Sequence, residues 1–329
     1  MGMSVCDEQG RWTDFGGTIQ NFELMPPEVM ELREKYNLHF GEVELVHLSL
    51  PHIHIVYGDM SLKKHQVRFR SMDMPEYVEL HFSLSGGSLI ENHANGRKYE
   101  FNAMQHNIVY TQDFDGVGQY KNNESYKFFE VHFAREYFLQ LVKDSPGVLS
   151  DFCEHVDQQK CTNLSEDNLS ITFAMQQCIY DIMNATVQGS LKVLFLQSKC
   201  IELLSLQVET YENAASNSVR SVLRSSYEKD GVRQARAYLN LHLDKTPTLA
   251  ELSKIAGINE FKLKNGFKEL FDTTVFGYLS DLRLLEAKEQ LRSGKAIKVI
   301  SDNLGYSSVQ HFGTAFRKKF GTSPGKMKG

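Results

Sequence analysis

Residues 246–268 read Thr246-Pro247-Thr248-Leu249-Ala250-Glu251-Leu252-Ser253-Lys254-Ile255-Ala256-Gly257-Ile258-Asn259-Glu260-Phe261-Lys262-Leu263-Lys264-Asn265-Gly266-Phe267-Lys268. The order of residue types describes two helices and the turn between them. Thr248 and Glu251 stand three apart, the spacing of a capping box in which the hydroxyl accepts from the backbone and the carboxylate reaches back. Leu249, Leu252, Ile255 and Ala256 form the apolar stripe of the first helix. Gly257 falls where a helix end needs positive φ, and Asn259 can cap the next helix. That second helix is expected over 261–271, with Leu263, Phe267, Leu270 and Phe271 inward and Lys262, Lys264, Asn265 and Lys268 outward. Such an outer face suits the DNA major groove. Lys reaches phosphates or guanine edges, and Asn pairs bidentately with adenine.

The same plan returns further on. Ile297, Ile300, Ser301 and Leu304 make a supporting helix, Gly305-Tyr306 the turn, and Ser307 or Ser308 the cap. A helix from Val309 to Phe320 turns Phe312, Phe316 and Phe320 inward. Val309, Gln310, Gly313, Thr314 and Arg317 remain outside, with Lys318 and Lys319 nearby. Between the copies, 275–291 reads as one long helix with Phe276, Leu279, Leu282, Arg283, Ala287 and Leu291 at helical spacing. A rigid helix joining two helix-turn-helix units fixes their separation, and two successive major-groove faces lie roughly 34 Å apart.

The run Leu249-x-x-Leu252-x-x-x-Ala256-Gly257, Leu263-x-x-x-Phe267-Lys268, Tyr278-Leu279, Arg283-Leu284-x-x-Ala287, Ile300-Ser301-x-x-Leu304-Gly305-Tyr306 and Phe312-x-x-x-Phe316-x-x-x-Phe320-Gly321-Thr322-Ser323-Pro324 resembles the AraC/XylS DNA-binding domain from end to end. The resemblance implies that Phe261, Lys264 and Asn265 in one helix, and Val309, Gln310 and Thr314 in the other, face bases. Ser301 departs from the pattern, which has Ala there. Val309 and Gly313 offer little hydrogen bonding, so the second helix is expected to read mainly shape or phosphates. Asn259-Glu260-x-Lys262-Leu263-Lys264-x-Gly266-Phe267, Thr274 to Leu279, Val78 to Gly86 and His106 to Tyr110 are similar to the branch of pyochelin-type ferric-siderophore regulators. That likeness implies a siderophore-like or other small effector.

The charge is unevenly placed. Residues 232–329 hold 17 Lys and Arg against 9 Asp and Glu, and residues 1–231 hold the other 19 and 32, within chain totals of 36 and 41. An acidic body with a basic tail points nucleic-acid binding to the tail. No apolar run approaches a membrane span. The opening MGMSVCDEQGRW lacks a signal-peptide pattern, and Val5 and Cys6 stand where myristoylation after Gly2 wants Ser or Thr. Cys6, Cys153, Cys161, Cys178 and Cys200 are odd in number and widely spaced, which fits a reduced cytoplasmic chain.

Ahead of the tail, residues 40–133 alternate with period two. Val78, Leu80, Phe82 and Leu84 share one face and Glu79, His81 and Ser83 the other. Short segments at 98–101, 108–111 and 128–133, between Gly- and Asn-rich turns, read as a barrel or jelly roll. Residues 135–212 turn helical, with Leu191, Leu194, Phe195, Ser198, Ile201, Leu204, Ser205 and Val208 as a stripe that packs on its own chain or on a second one. Residues 212–218 (ENAASNS) read as linker.

His52 and His54 alternate in an expected strand, as two metal ligands or, more ordinarily, a solvent-facing pair. His65, His81, His93 and His106 are scattered, and HxH followed closely by Glu is absent. Trp12 with Phe15 and Phe22 reads as core or strand edge rather than pocket. Arg68, Arg70 and Arg97 are surface residues that could meet an anionic effector. No GxSxG, P-loop, GxGxxG or HExxH occurs.

The reading is therefore an α+β multidomain chain: a jelly-roll or cupin-like sensing region over 1–134, a helical and dimerising region over 135–211, a linker over 212–228, and a tandem helix-turn-helix domain over 229–329. Its expected function is effector-responsive transcriptional regulation. The DNA-contacting set is Phe261, Lys262, Lys264, Asn265, Lys268, Val309, Gln310, Thr314, Arg317 and Lys318. Expected partners are double-stranded DNA, a small effector, a second copy and RNA polymerase. No cofactor, metal or catalytic residue is expected. A regulator that senses nothing, and a cupin-like enzyme with a DNA-binding tail, are the alternatives.

Overall fold

The period-two alternation builds two antiparallel sheets. One runs β2 (Trp12–Phe15), β1 (Gly2–Cys6), β6 (Gln66–Met72), β11 (Asp115–Tyr120), β8 (Ser88–Asn92), β9 (Arg97–Phe101). The other runs β13 (Thr162–Asn163), β10 (Gln105–Tyr110), β7 (Tyr77–Ser85), β12 (Ser125–Ala134), β5 (Ile53–Leu62), β4 (Gly41–Leu50), β3 (Met30–Leu38), with β14 (Leu169–Ser170) also on β10. The computed structural model describes residues 2–6, 10–15, 28–63, 66–72, 76–112, 114–120, 125–217, 222–271 and 273–327; Phe22 and His65 lie outside the described residues. The chain forms two units, Met1–Ser216 and Asn217–Gly329.

In the first unit the two sheets face each other. Val5, Val67, Phe69 and Tyr120 of one sheet form a shared core with Val43, Leu45, Met60, Leu62 and Tyr126 of the other and with Phe40. This double-sheet arrangement, two antiparallel sheets face to face over a shared core, is that of a jelly roll. The opposite face of the larger sheet carries Leu48, Ile53, Ile55, Val78, Leu80, Phe82, Ile108, Phe129 and Val131, buried under helices. Those helices are α1 (Arg135–Leu141), α2 (Val148–Asp157), α3 (Phe173–Met183) and α4 (Ser190–Asn217). Both faces of β7 are thus covered, which is why its polar residues are buried as well as its apolar ones. The expected helical stretch also contains the two short strands β13 and β14, which extend the sheet past β10.

Two expectations for α4 are corrected. Its buried stripe is Val193, Leu196, Cys200, Leu203, Leu204, Gln207 and Tyr211; of the expected stripe Leu204 belongs to it and Phe195 and Val208 pack against it, while Leu191, Leu194, Ser198 and Ser205 are exposed. Leu191 and Leu194 are 63% and 62% exposed. Two apolar stripes wind around the helix, and the one with Gln207 and Tyr211 wins because those side chains satisfy buried groups. Gln207 donates to the Asn107 carbonyl at 3.1 Å and Tyr211 to the His106 carbonyl at 2.8 Å. Residues 212–217, expected as linker, are instead the end of α4. Glu212 accepts there from the Val148 backbone N–H at 2.7 Å, at the start of α2.

The second unit is all helical: α5 (Ser226–Leu241), α6 (Leu249–Ala256), α7 (Glu260–Phe271), α8 (Val275–Arg292), α9 (Ile297–Asn303), α10 (Val309–Phe320) and α11 (Pro324–Met327). It has two cores. Val232, Ala235 and Leu239 of α5 join Leu252, Leu263, Phe267, Tyr278 and Leu279 in one. Leu284, Ala287, Leu291, Ile300, Leu304, Phe312 and Phe316 make the other. The division falls within α8, whose first half serves one core and whose second half serves the other. Phe276 departs from the expected inward stripe and is 47% exposed, with Val275 and Tyr278 buried beside it.

Candidate functional sites

Each helix-turn-helix is locked by local chemistry. Thr248 and Glu251 form the complete capping box, and Gly257 closes α6 at φ 65°. Asn259 Oδ1 accepts from the Lys262 N–H at 2.8 Å, and Ser308 Oγ from the His311 N–H at 3.1 Å, capping α7 and α10. The second turn depends on Gly305, at φ 69°. A Cβ there would lie 2.4 Å from the Asp244 carbonyl oxygen and 2.7 Å from Arg283 Nη2. Arg283 is buried in α8 and donates to the Leu243 and Lys245 carbonyls at 2.7 and 3.0 Å and to Thr246 Oγ1 at 3.0 Å. It therefore ties the long helix to the segment that leads into α6, at the point where the two cores meet.

With Leu263, Phe267 and Phe271 buried, α7 leaves Phe261, Lys264, Asn265 and Lys268 along its other side, at i, i+3, i+4 and i+7. Phe261 is 67% exposed, a position that core packing does not explain. Asn265 Nδ2 donates to the Phe261 carbonyl at 2.8 Å. Lys262 lies off this line and its ammonium is paired with Glu228 of α5, so it ties helices together. On α10, Phe312 and Phe316 are buried, while Val309, Gln310, Thr314, Arg317 and Lys318 are exposed. Neighbouring Lys319 pairs with Asp281 at 2.9 Å.

A second constellation lies inside the barrel, and the sequence reading did not assemble it. Glu79-Leu80-His81 on β7 and Glu130-Val131-His132 on β12 run antiparallel, in a register that sets Glu130 opposite His81 and His132 opposite Glu79. His81 Nδ1 lies 2.9 Å from Glu79 Oε1 and 3.1 Å from Glu130 Oε1. His132 Nε2 lies 3.4 Å from Glu130 Oε2 and 3.8 Å from Glu79 Oε2, without hydrogen-bond alignment. The polar row continues sideways. His54 sits opposite His132 and Ser49 opposite His54, and His54 bonds Ser49 Oγ at 2.9 Å and His47 at 3.1 Å.

Burial would depress His81, but Tyr126 and the two carboxylates outweigh it and hold the ring well above the ordinary histidine range. Burial likewise opposes ionisation of Glu130, yet the neighbouring His132 and His81 rings bring it down to about 2. For His54, burial and the neighbouring histidines act together and push it well down; His47 is lowered chiefly by burial. The signal that could have exposed this site is the repeated Glu-x-His with an apolar middle residue, on two strands that pair.

The other candidates separate. His52 is exposed in the turn before β5 at φ 63° and stacks on Tyr137. It therefore does not share a strand face with buried His54. Arg70 and Arg68 lie over the Trp12 ring, at 4.1 and 5.3 Å, on the side of β6 opposite buried Val67 and Phe69. Arg97 is exposed. Among the described residues no cysteine forms a disulfide. Among the described residues no helix is long and apolar enough to cross a membrane.

The family described as "Helix-turn-helix domain" matches residues 252–329. Regulatory protein PchR of Pseudomonas aeruginosa is 32% identical over 118 residues, covering 36% of this chain and 40% of its own. The xylose operon regulatory protein of Escherichia coli is 25% identical over 182 residues, 52% of this chain and 46% of its own. The chain thus spans less than half the length of these relatives. Among solved structures, the C-terminal domain of the response regulator AraT from Geobacillus stearothermophilus aligns at 28% identity and TM-score 0.29, over 30% of this chain and 83% of its own. Apo ToxT from Vibrio cholerae aligns at 13% identity and TM-score 0.34, over 83% and 96%. The family described as "Regulatory protein PchR N-terminal domain" matches residues 40–222, more than half of the 329 residues, and the chain belongs to this family, with a helix-turn-helix tail.

Proposed function

We propose that this chain binds specific double-stranded DNA by laying the outer faces of α7 and α10 into two successive major-groove segments, and that a small effector held by the barrel unit sets that binding. The supporting observation is the division of the tail's core along α8. Its 18 residues span about 27 Å as one straight helix, and each half is packed against one helix-turn-helix. Lys264 and Asn265 read bases in the first half-site, with Phe261 beside them and Lys268 on phosphate. Gln310, Thr314 and Val309 face the second, with Arg317 and Lys318 on phosphates. Lys262 contributes through Glu228 to the packing of α5 on α7, not as a free phosphate ligand.

The effector class follows the resemblance to siderophore-responsive regulators: a small, siderophore-like molecule. Its binding shifts the balance between DNA-competent and incompetent states only as far as its affinities for the two differ. The exposed stripe of α4, with Leu191 and Leu194, pairs with a second copy. The chain works in the cytoplasm, recruits RNA polymerase and catalyses no reaction. Regulation rather than catalysis is supported by the helix-turn-helix tail and the family. The test is gel retardation of promoter fragments from the native genome. Lys264→Ala and Asn265→Ala each weaken specific binding by about 1–3 kcal/mol, with binding to random DNA little changed. An unaltered footprint for the double variant contradicts the assignment.

A further inference from the structure

We propose that Glu79, His81, Glu130 and His132 together bind one divalent first-row transition-metal ion inside the barrel. The register brings the four side chains together from two adjacent strands. One ligand atom each from Glu79, His81 and Glu130 lie within 4.8 Å of one another, close enough to surround an ion held at about 2.0–2.2 Å from each.

The fourth residue supplies an independent observation. His132 is 4% exposed, and neither of its ring nitrogens has a hydrogen-bond partner. Burying an imidazole in this way is costly. Its Nε2 nevertheless points to within 3.4 and 3.8 Å of the two carboxylates. The ring is held there by Tyr77, at 4.3 Å between centroids, and by His54 at 5.8 Å. A cation between the carboxylates gives that orphan nitrogen a bond.

His81 is prepared in the way metal-ligating histidines usually are. Its Nδ1 faces the carboxylates while Nε2 meets the Tyr126 hydroxyl at 3.4 Å, and Ser88 donates to that hydroxyl at 3.3 Å. Two carboxylates and two imidazoles make a borderline donor set with no thiolate. Such a set suits Mn, Fe, Co, Ni or Zn in the divalent state and disfavours Cu(I). Metal ligands bind in their deprotonated forms, so metal binding releases protons and affinity rises with pH.

The experiment uses the full-length chain stripped with a chelator, with Co2+ as the probe. Equilibrium dialysis with elemental analysis is expected to give one Co2+ per chain, with visible d–d absorption from nitrogen and oxygen ligands that Zn2+ abolishes. Calorimetry in two buffers of different ionisation enthalpy is expected to count about one proton released per ion. Glu130→Gln and His132→Gln, which keep side-chain volume, are expected to weaken Co2+ by more than about 100-fold. Their fold is checked by melting without metal. No Co2+ retained by the wild-type chain overturns the proposal, as does a sulfur-to-cobalt charge-transfer band, which would place the ion on a cysteine. Should both variants fail to fold, the proton count and ligand-field spectrum of the wild type still decide.

Discussion

At the scale of single residues, Ser301 carries a hydroxyl into the second helical core, fully buried and with no hydrogen-bond partner. An unsatisfied buried hydroxyl costs about 1–3 kcal/mol. Ser301→Ala is therefore expected to stabilise the helical unit by about 1 kcal/mol, read as a higher urea midpoint by circular dichroism; a lower midpoint contradicts the account. The barrel's histidines make a second prediction. The chain has one tryptophan, Trp12 on β2, so its fluorescence reports the barrel unit. Between about pH 5 and 8 histidines are the main groups to titrate. His81 is raised above its ordinary 6.5, so its stabilisation is complete below 6.5 and fades as pH climbs toward its folded value. His54 and His47 are lowered from 6.5, so stability falls as pH drops below 6.5 and the unfolded chain takes up protons that the folded one refuses. Glu130, brought down from 4.5, adds a further loss below 4.5. The groups facing this cluster are Glu34, His47, His54, Glu79, Tyr126, Glu130 and His132. Chelator-treated protein should thus be most stable near 6.5, each limb changing by about 1.4 kcal/mol per pH unit per proton. His81→Gln flattens the alkaline limb. A curve rising steadily from pH 5 to 8 contradicts the assignment.

At the scale of elements, α6 and α7 were legible because their determinants are local: a cap, a glycine and a stripe within twelve residues. The helix α5 was not, since its polar face outweighs three buried apolar residues, Val232, Ala235 and Leu239, whose partners come later in the chain. The alternation on β7 was read correctly. What stood opposite it was hidden, because the pairing of His81 with Glu130 closes a loop of 49 residues that no local pattern reports. For α4 two stripes competed, and only the buried partners of Gln207 and Tyr211 decide between them. Leu191 and Leu194 stay outside, and the exposed Ser198 and Ser205 hydroxyls donate to the Phe195 and Ile201 carbonyls of the same helix. Leu191→Asp with Leu194→Asp is expected to leave the melting temperature nearly unchanged and to convert a dimer to a monomer in light scattering. A wild-type chain that is monomeric at high concentration contradicts the pairing.

At the scale of the whole molecule, the charge split was the most informative global feature of the sequence, placing an excess of eight positive charges in residues 232–329. Each phosphate contact contributes roughly −0.9 to the slope of log affinity against log salt. Lys268→Ala and Lys318→Ala should each make that slope shallower by about one unit, on specific and random DNA alike. Lys262→Ala should leave the slope nearly unchanged, because that ammonium is paired with Glu228. A full unit lost for Lys262 would reverse the distinction. The most direct measurement is a hydroxyl-radical footprint of the full chain on its promoter. Two protected patches on one side of the duplex, about 10 base pairs apart, are expected. Lys264→Ala with Asn265→Ala should erase one, and Gln310→Ala with Thr314→Ala and Arg317→Ala the other. A single patch per chain, or both patches vanishing together with either set, would show that α8 does not hold two independent groove-reading helices.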